Sequence, residues 1–150
     1  MKHLIAAVML TLAALPVWAG EDIIKVKSNK DVAATMDALE AAVTGAGATV
    51  FARIDHAGGA KSAGMELPDS QLLIFGNPKL GTPAMQDDPQ AGLYLPLKVL
   101  IYIDASSDIW LAYEDPKEML DDLPGISDDA EYIRKMSGAL AKLTQKAAGM

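Results

Sequence analysis

The chain has 150 residues, no cysteine, and 20 acidic against 13 basic side chains, which gives a formal net charge of −7 at pH 7. The absence of cysteine excludes disulfides, thiol nucleophiles, thiolate metal sites and covalently attached haem. The acidic balance argues against nucleic acid and anionic membrane surfaces as partners.

The first residues have the pattern of a cleavable secretory signal. Lys2 supplies a positive start, Leu4–Leu15 is an uncharged apolar run, and Val17-Trp18-Ala19 has small residues where signal peptidase recognises its substrate. We therefore expect residues 1–19 to be removed by cleavage after Ala19, leaving a periplasmic or secreted protein with no membrane anchor. Loss of Lys2 changes the formal net charge to −8. A retained anchor is the alternative, but the run is shorter than the ~20 apolar residues that span a bilayer.

Residues 20–150 are expected to form a single domain, because they are numerous enough to bury a core and contain no linker. Ile23–Lys27 alternates as a short strand. Ser28 with Asp31 predicts a capping box for the helix that follows. That helix carries one apolar stripe: Val32, Met36, Leu39 and Val43.

Thr49–Asp55 alternates as a second strand. Its period predicts that Val50, Ala52 and Ile54 share one face. A Gly-rich connector follows over Ala57–Ser70, with one helical turn around residues 60–65.

Two further strands, Gln71–Gly76 and Lys98–Asp104, are apolar on both faces. Between them, Thr82-Pro83 predicts the start of a short helix, with threonine as its cap and proline at its first position. Ile109–Glu114 is predicted to pair with the preceding strand as a hairpin.

The remaining segments are predicted to be helical. Asp115-Pro116 opens a short helix, and Ser127 is expected to cap the last helix. The apolar stripe of that last helix is Ile133, Met136, Leu140 and Leu143.

This order of elements predicts an α+β fold. The expected architecture is a two-layer sandwich, with a mostly antiparallel sheet of about five strands and helices packed on one face. Because the central strands are apolar on both faces, the second face needs a cover. We expect a homodimer through that face.

His56 is the only histidine of the expected mature chain, and it directly follows Asp55 at a strand end. An imidazole beside a carboxylate is suited to general acid–base catalysis or to ligand binding. Alternatively, His56 holds the Gly-rich connector through hydrogen bonds. Adjacent residues of a strand point to opposite faces, so this pair cooperates only if the strand ends between them.

Asn77-Pro78-Lys79 follows a strand and precedes a helix start. Lys79 with the N–H groups of Gly81–Met85 is predicted to bind an anionic group such as a carboxylate or phosphate. The alternative is turn formation alone, which asparagine and proline favour. Tyr113 is a further candidate for lining the same pocket.

Arg53 and Lys98 are charged residues inside strands. Either they point to solvent, or they pair with Asp55 or Asp104 across the sheet, and we expect the pairing. A lone histidine with scattered carboxylates does not have the spacing of a tetrahedral metal site. No metal or other cofactor is therefore expected.

Three segments together resemble the domain of unknown function 302 family: Phe51–His56, Leu72–Gln86 and Leu95–Leu100. Trp110–Pro116 resembles the tryptophan–tyrosine–Asx–Pro stretch that follows them in that family. The resemblance extends over Val26–Leu143. It implies a compact α+β two-layer sandwich that is often a homodimer, and it brings no established activity, so no catalytic residue is carried over.

Three functions are consistent with the sequence. The first is an exported small-molecule-binding or accessory domain. Its ligand is small, and it is anionic if Lys79 binds it. The expected pocket is lined by Asp55, His56, Asn77, Lys79 and Tyr113. The second is a small enzyme that uses His56 and Asp55 as acid and base. The third is a protein-interaction module that binds another chain through its second sheet face.

Overall fold

The computed structural model describes residues 22–150, so the predicted signal segment lies outside the described part of the chain. The strands are β1 (Ile23–Lys27), β2 (Thr49–Asp55), β3 (Ser70–Gly76), β4 (Leu97–Ile103) and β5 (Ile109–Glu114). The helices are α1 (Val32–Gly45), α2 (His56–Ser62), α3 (Pro78–Asp87), α4 (Pro116–Leu120) and α5 (Glu131–Ala148), with a 3₁₀ segment at Pro89–Leu93.

The strands form one antiparallel sheet in the order β1-β5-β4-β3-β2. The helices α1 and α5 pack against each other and against one face of this sheet. The α+β two-layer sandwich predicted from the sequence is therefore confirmed.

The core lies between the sheet and the two long helices. The predicted helix stripes are buried, with Met36, Leu39 and Val43 fully inaccessible to solvent. From the sheet, the buried side chains are Leu73, Phe75, Val99, Ile101 and Leu111. Each large apolar side chain buried in this way contributes about 1.5–3 kcal/mol relative to its exposed state.

The N-terminus of α1 is capped by Asp31 alone. Its carboxylate accepts a hydrogen bond from the Ala34 N–H at 2.7 Å. The predicted capping box with Ser28 is wrong, because the buried Ser28 hydroxyl instead pairs with the Thr35 hydroxyl at 2.7 Å. The serine thus joins β1 to α1 from inside the core.

A β-bulge interrupts β2 at Phe51. Val50 pairs with Phe75, whereas Ala52 pairs with Ile74 on the opposite face of the sheet. The prediction that Val50 and Ala52 share a face is therefore wrong, since the extra residue of a bulge shifts the side-chain alternation by one.

Two helix starts differ from the predicted ones. The helix α3 begins at Pro78 with Asn77 as its cap, so Thr82 and Pro83 lie inside the helix and do not open it. Proline at the first helical position and an asparagine cap provide a complete start signal one turn earlier. The helix α5 begins at Glu131 without a side-chain cap, whereas Ser127 accepts a hydrogen bond in the preceding turn.

Arg53 extends toward the helix layer. Its guanidinium donates to Asp37 at 2.6 Å and to Gln71 at 2.9 Å, so the predicted pairing with Asp55 is wrong. The register places Arg53 opposite Leu73, on the sheet face that α1 covers. Lys98 likewise does not pair with Asp104, since its ammonium donates to the Tyr94 carbonyl at 3.2 Å.

Neither of the long helices α1 and α5 covers the opposite face of the sheet. Its central side chains are half-buried and mostly apolar: Leu72, Ile74, Leu100 and Tyr102. Lys25, Lys98 and Glu114 lie beside them on the same surface. We call this surface the open sheet face.

Candidate functional site

A cavity of about 540 Å³ lies at one end of the sandwich. It is bounded by the start of β2, the end of β3, the start of β4, and the helices α3 and α5. This volume falls within the range of ligand pockets, about 300–1,000 Å³. We refer to it as the end cavity.

The sheet side of the end cavity is formed by Phe51, Phe75 and Leu97 together with Gly76. A Cβ atom at Gly76 would lie 3.2 Å from the Phe51 ring and 3.3 Å from the Pro96 Cβ atom. Glycine at this position therefore allows the bulged Phe51 to lie close against the backbone at the end of β3.

The helix side is also apolar. From α3 come Leu80, Gly81 and Met85, and from α5 come Met136, Ala139 and Leu143. Because α5 packs with its apolar stripe toward the sheet, one helix supplies both core residues and cavity wall. Leu140 of the same helix is fully buried in the core.

Few polar groups line the end cavity. Among the lining residues that belong to the described range 22–150, Asn77 and Thr82 have the only polar side chains, and none carries a charge. The side-chain amide oxygen of Asn77 accepts a hydrogen bond from the Lys79 backbone N–H at 3.0 Å and so caps α3. The NH₂ group of the same amide remains available as a donor to a ligand.

Exposed apolar side chains lie at or near the mouth of the end cavity. Phe51 is 58% exposed and Met85 is 40% exposed, although both line the cavity. Leu93 is 82% exposed and follows Gly92, whose Cβ position lies 3.5 Å from the Met85 sulfur. We call these three side chains the apolar rim.

The site residues predicted from the sequence do not share one pocket. β2 and β3 are antiparallel, with Thr49 opposite Gly76 and Asp55 opposite Gln71. Asp55 and Asn77 consequently lie at opposite ends of the sheet, separated by about 20 Å of strand. The expectation that both line a single pocket is wrong.

Asp55 and His56 mark the junction of β2 with α2. The Asp55 carboxylate accepts the Gly58 N–H at 2.8 Å and so caps α2, while His56 is the first helical residue and is exposed. The strand does end between these two residues, but neither lines the end cavity. The acid–base role proposed for them therefore has no support from the cavity geometry.

The anion site predicted around Lys79 is also not formed as expected. The backbone N–H of Gly81 donates to the backbone carbonyl oxygen of Asn77 at 3.0 Å, as a hydrogen bond of the helix. Because α3 begins at Pro78, the amides of residues 81–85 lie beyond its first residues, and Pro83 has no N–H at all. Lys79 itself is exposed and does not line the cavity.

Tyr113 belongs to the core and is only 5% exposed. Burial raises the pKa of its phenol, and a hydrogen bond with Thr144 opposes that rise. Tyr113 is therefore not positioned in the end cavity. Of the predicted site residues, Asn77 alone lines it.

Residues such as Met136 and Leu143 form the wall of the end cavity, but sequence reasoning assigned them to the core. An apolar side chain beside a void has the same helical spacing as one inside the core. The one feature of the sequence that points to the cavity is the density of Gly and Pro between β3 and β4, which indicates irregular backbone at this end of the sheet.

Residues 22–150 show neither a metal centre nor a membrane span. No cluster of three or more His, Cys, Asp or Glu side chains in this range is arranged to hold a metal ion. Within the same range, no helix has both the length and the hydrophobicity to cross a bilayer.

The antiparallel sheet, the two helices on one face and the end cavity define a class of small α+β sandwich domains. A crystal structure of an uncharacterized conserved protein DUF302 from Bacillus stearothermophilus has the same fold. Its TM-score is 0.74 at 15% identity, and the match covers 85% of this chain and 99% of that chain. The family model "Domain of unknown function DUF302" matches residues 24–143, so the chain belongs to this family.

Curated relatives share more of the sequence. A protein named Fluoride-specific ion channel FluC 1 from Brucella suis is 39% identical over 128 residues, or 85% of this chain and 50% of that protein. The proteins named FluC 1 from Brucella abortus and FluC 2 from Brucella melitensis match at the same identity over 47% of their length. The chain thus spans about half the length of the curated relatives it matches.

Proposed function

We propose that this protein is an exported domain that binds a small organic molecule in the end cavity. The observation that carries the proposal is the cavity itself, because it is a concave apolar surface of ligand size that is partly exposed to water. A bound ligand would remove that apolar surface from water. Export is inferred from the signal pattern of residues 1–19.

Native mass spectrometry of the protein purified from its own host tests this proposal. We expect a bound small-molecule mass that is lost when Ala139, a wall residue, is replaced by leucine to fill the cavity. Ala41→Leu on the exposed side of α1 is the matched control and should retain the mass. A bare protein mass, with no metabolite that raises the Tm, would contradict ligand binding.

A second candidate function is accessory to a membrane channel. It is motivated by the relatives named fluoride-specific ion channels, of which this chain spans about half. A channel needs segments that satisfy their backbone hydrogen bonds inside the bilayer. We infer that this chain assists conduction by a channel of that kind.

Fluoride is a poor candidate for the ligand of the end cavity, because the cavity is lined by uncharged residues that are mostly apolar. A small anion transferred there from water would lose its hydration without compensation. An accessory role is therefore tested on the whole cell. A strain that lacks this protein should grow less well in fluoride and recover on re-expression, whereas unchanged growth would remove the basis for this role.

The open sheet face supports the third interpretation, a homodimeric interaction module. Five strands about 4.8 Å apart and about 20 Å long present a surface of roughly 500 Å², before side-chain relief is counted. A standard interface buries about 800 Å² per partner, so this face would supply much of one.

The charges on this face can complement a second copy, because lysines and Glu114 lie on one surface. Sedimentation of the exported protein and of a Leu100→Lys variant tests the dimer. A dimer that becomes monomeric in the variant is expected, while a wild-type monomer would exclude this interface.

A further inference from the structure

Within the described part of the chain, the end cavity has no group that could neutralise a charged ligand. Its lining residues are all uncharged. Lys79 follows the lining residue Pro78 and precedes the lining residue Leu80, yet its own side chain is exposed and outside the cavity. A carboxylate or ammonium group bound inside would be desolvated without a partner, which is strongly unfavourable.

Two side chains of the cavity lining can form hydrogen bonds with a ligand. The Asn77 amide has already used its oxygen to cap α3, which leaves its NH₂ group as a donor. The exposed Thr82 hydroxyl is the second polar side chain of the lining. These two groups suit one uncharged oxygen of a ligand, such as a hydroxyl or a carbonyl.

The apolar rim continues the same chemistry outside the cavity. Phe51 and Met85 remain exposed where they line the cavity, and Leu93 is exposed nearby, although large apolar side chains are normally covered when they cluster. A ligand that protrudes from the cavity would cover them with its own apolar surface. Cavity and rim thus select for hydrocarbon along the whole length of the ligand.

We propose that the ligand of the end cavity is an uncharged, hydrocarbon-rich molecule with at most one hydroxyl or carbonyl group held by Asn77 and Thr82. This inference rests on the proposed ligand-binding function and specifies the class of molecule. It also replaces the anionic ligand that the sequence suggested with a neutral one.

Two dyes with a common aromatic framework test the inference. N-phenyl-1-naphthylamine is uncharged, whereas 1-anilinonaphthalene-8-sulfonate adds a sulfonate to the same framework. Fluorescence titration of the exported protein should give a Kd at least tenfold lower for the uncharged dye. The Ala139→Leu variant should lose this binding, and the Ala41→Leu control should keep it.

Competition by aliphatic compounds gives an independent measurement. Dodecanol should displace the uncharged dye at a concentration at least tenfold lower than dodecanoate, since the two differ only at the head group. Dodecanol should also compete better than dodecane, and an Asn77→Ala variant should reduce this second preference, because the amide donates to the hydroxyl.

The outcomes separate the two proposals. If the sulfonated dye or dodecanoate binds more tightly, and Lys79→Ala abolishes that advantage, the site is anionic and the neutral class is refuted while ligand binding stands. If neither dye binds, or if Ala139→Leu leaves binding of both unchanged, the end cavity is not a ligand site and both proposals fail.

Discussion

Replacement of Gly81 by alanine tests the geometry of the end cavity directly. Gly81 lies inside α3 and lines the cavity. A Cβ atom there would be 3.6 Å from a Leu95 methyl and 4.0 Å from the Met85 methyl. Both distances are ordinary van der Waals contacts, so the new methyl group extends the cavity wall without a clash.

Two favourable contributions add at this position. Alanine in place of glycine inside a helix stabilises by about 0.5–1 kcal/mol. The burial of one methyl group contributes about 0.8 kcal/mol more. We expect the free energy of unfolding to rise by about 1.5 kcal/mol, which corresponds to an increase in Tm of roughly 5 °C in a domain of this size.

Gly138→Ala is the matched control. Gly138 lies inside α5, is exposed, and has no atom within 4 Å of its Cβ position, so only the helix contribution applies. Both variants are compared by urea unfolding, monitored by circular dichroism. If Gly81→Ala stabilises no more than Gly138→Ala, its methyl group does not meet the wall, and the described cavity geometry is refuted.

Two further predictions concern the turn before α5 and the helix itself. Gly125→Ala should destabilise by about 2 kcal/mol or more, because its Cβ atom would overlap the Asp87 carbonyl oxygen and lie 3.1 Å from the Asp88 Cβ atom. Gly59→Ala is the control, because no atom lies within 4 Å of its Cβ position, and it should not lower the urea midpoint. Equal losses of stability in the two variants would contradict the overlap at Gly125. Burial and a hydrogen bond to Asp87 raise the pKa of Tyr132 to about 12, from an ordinary value near 10. The folded state therefore holds this proton more tightly, and the stability it contributes is complete below pH ~10 and is lost as the pH rises toward 12, by up to about 3 kcal/mol. Urea unfolding at several pH values should show that the Tyr132→Phe variant loses less stability over this pH range than the unsubstituted protein. Equal losses in the two proteins would exclude ionisation of Tyr132 as the cause.

Much of the fold was predictable because its signals are local. The stripe from Val32 to Val43 has helical spacing, and Asp115 followed by Pro116 is a helix start that the structure reproduces. The central strands are continuous apolar runs whose bounds differ from the predicted ones by a single residue. Elements of this kind are specified by neighbours within a few positions in the chain.

Predictions failed where two start signals competed or where an extra residue entered a strand. Asn77-Pro78 and Thr82-Pro83 are both valid helix openings by composition, and the structure uses the first, with α3 packed against α5. The bulge at Phe51 has no distinctive sequence, yet it moves Ala52 to the other face and leaves Phe51 at the cavity mouth.

The sequence by itself determined the family, the α+β class and the position of nearly every strand, since these depend on local periodicity and turn chemistry. Only the tertiary structure decided which strand ends meet. Antiparallel pairing sends Asp55 and Asn77 to opposite ends of the sheet, so polar residues that are close in pattern do not share a site. It also created the end cavity. The sequence does not reveal this cavity, because an apolar side chain that lines a cavity has the same spacing as one that faces the core.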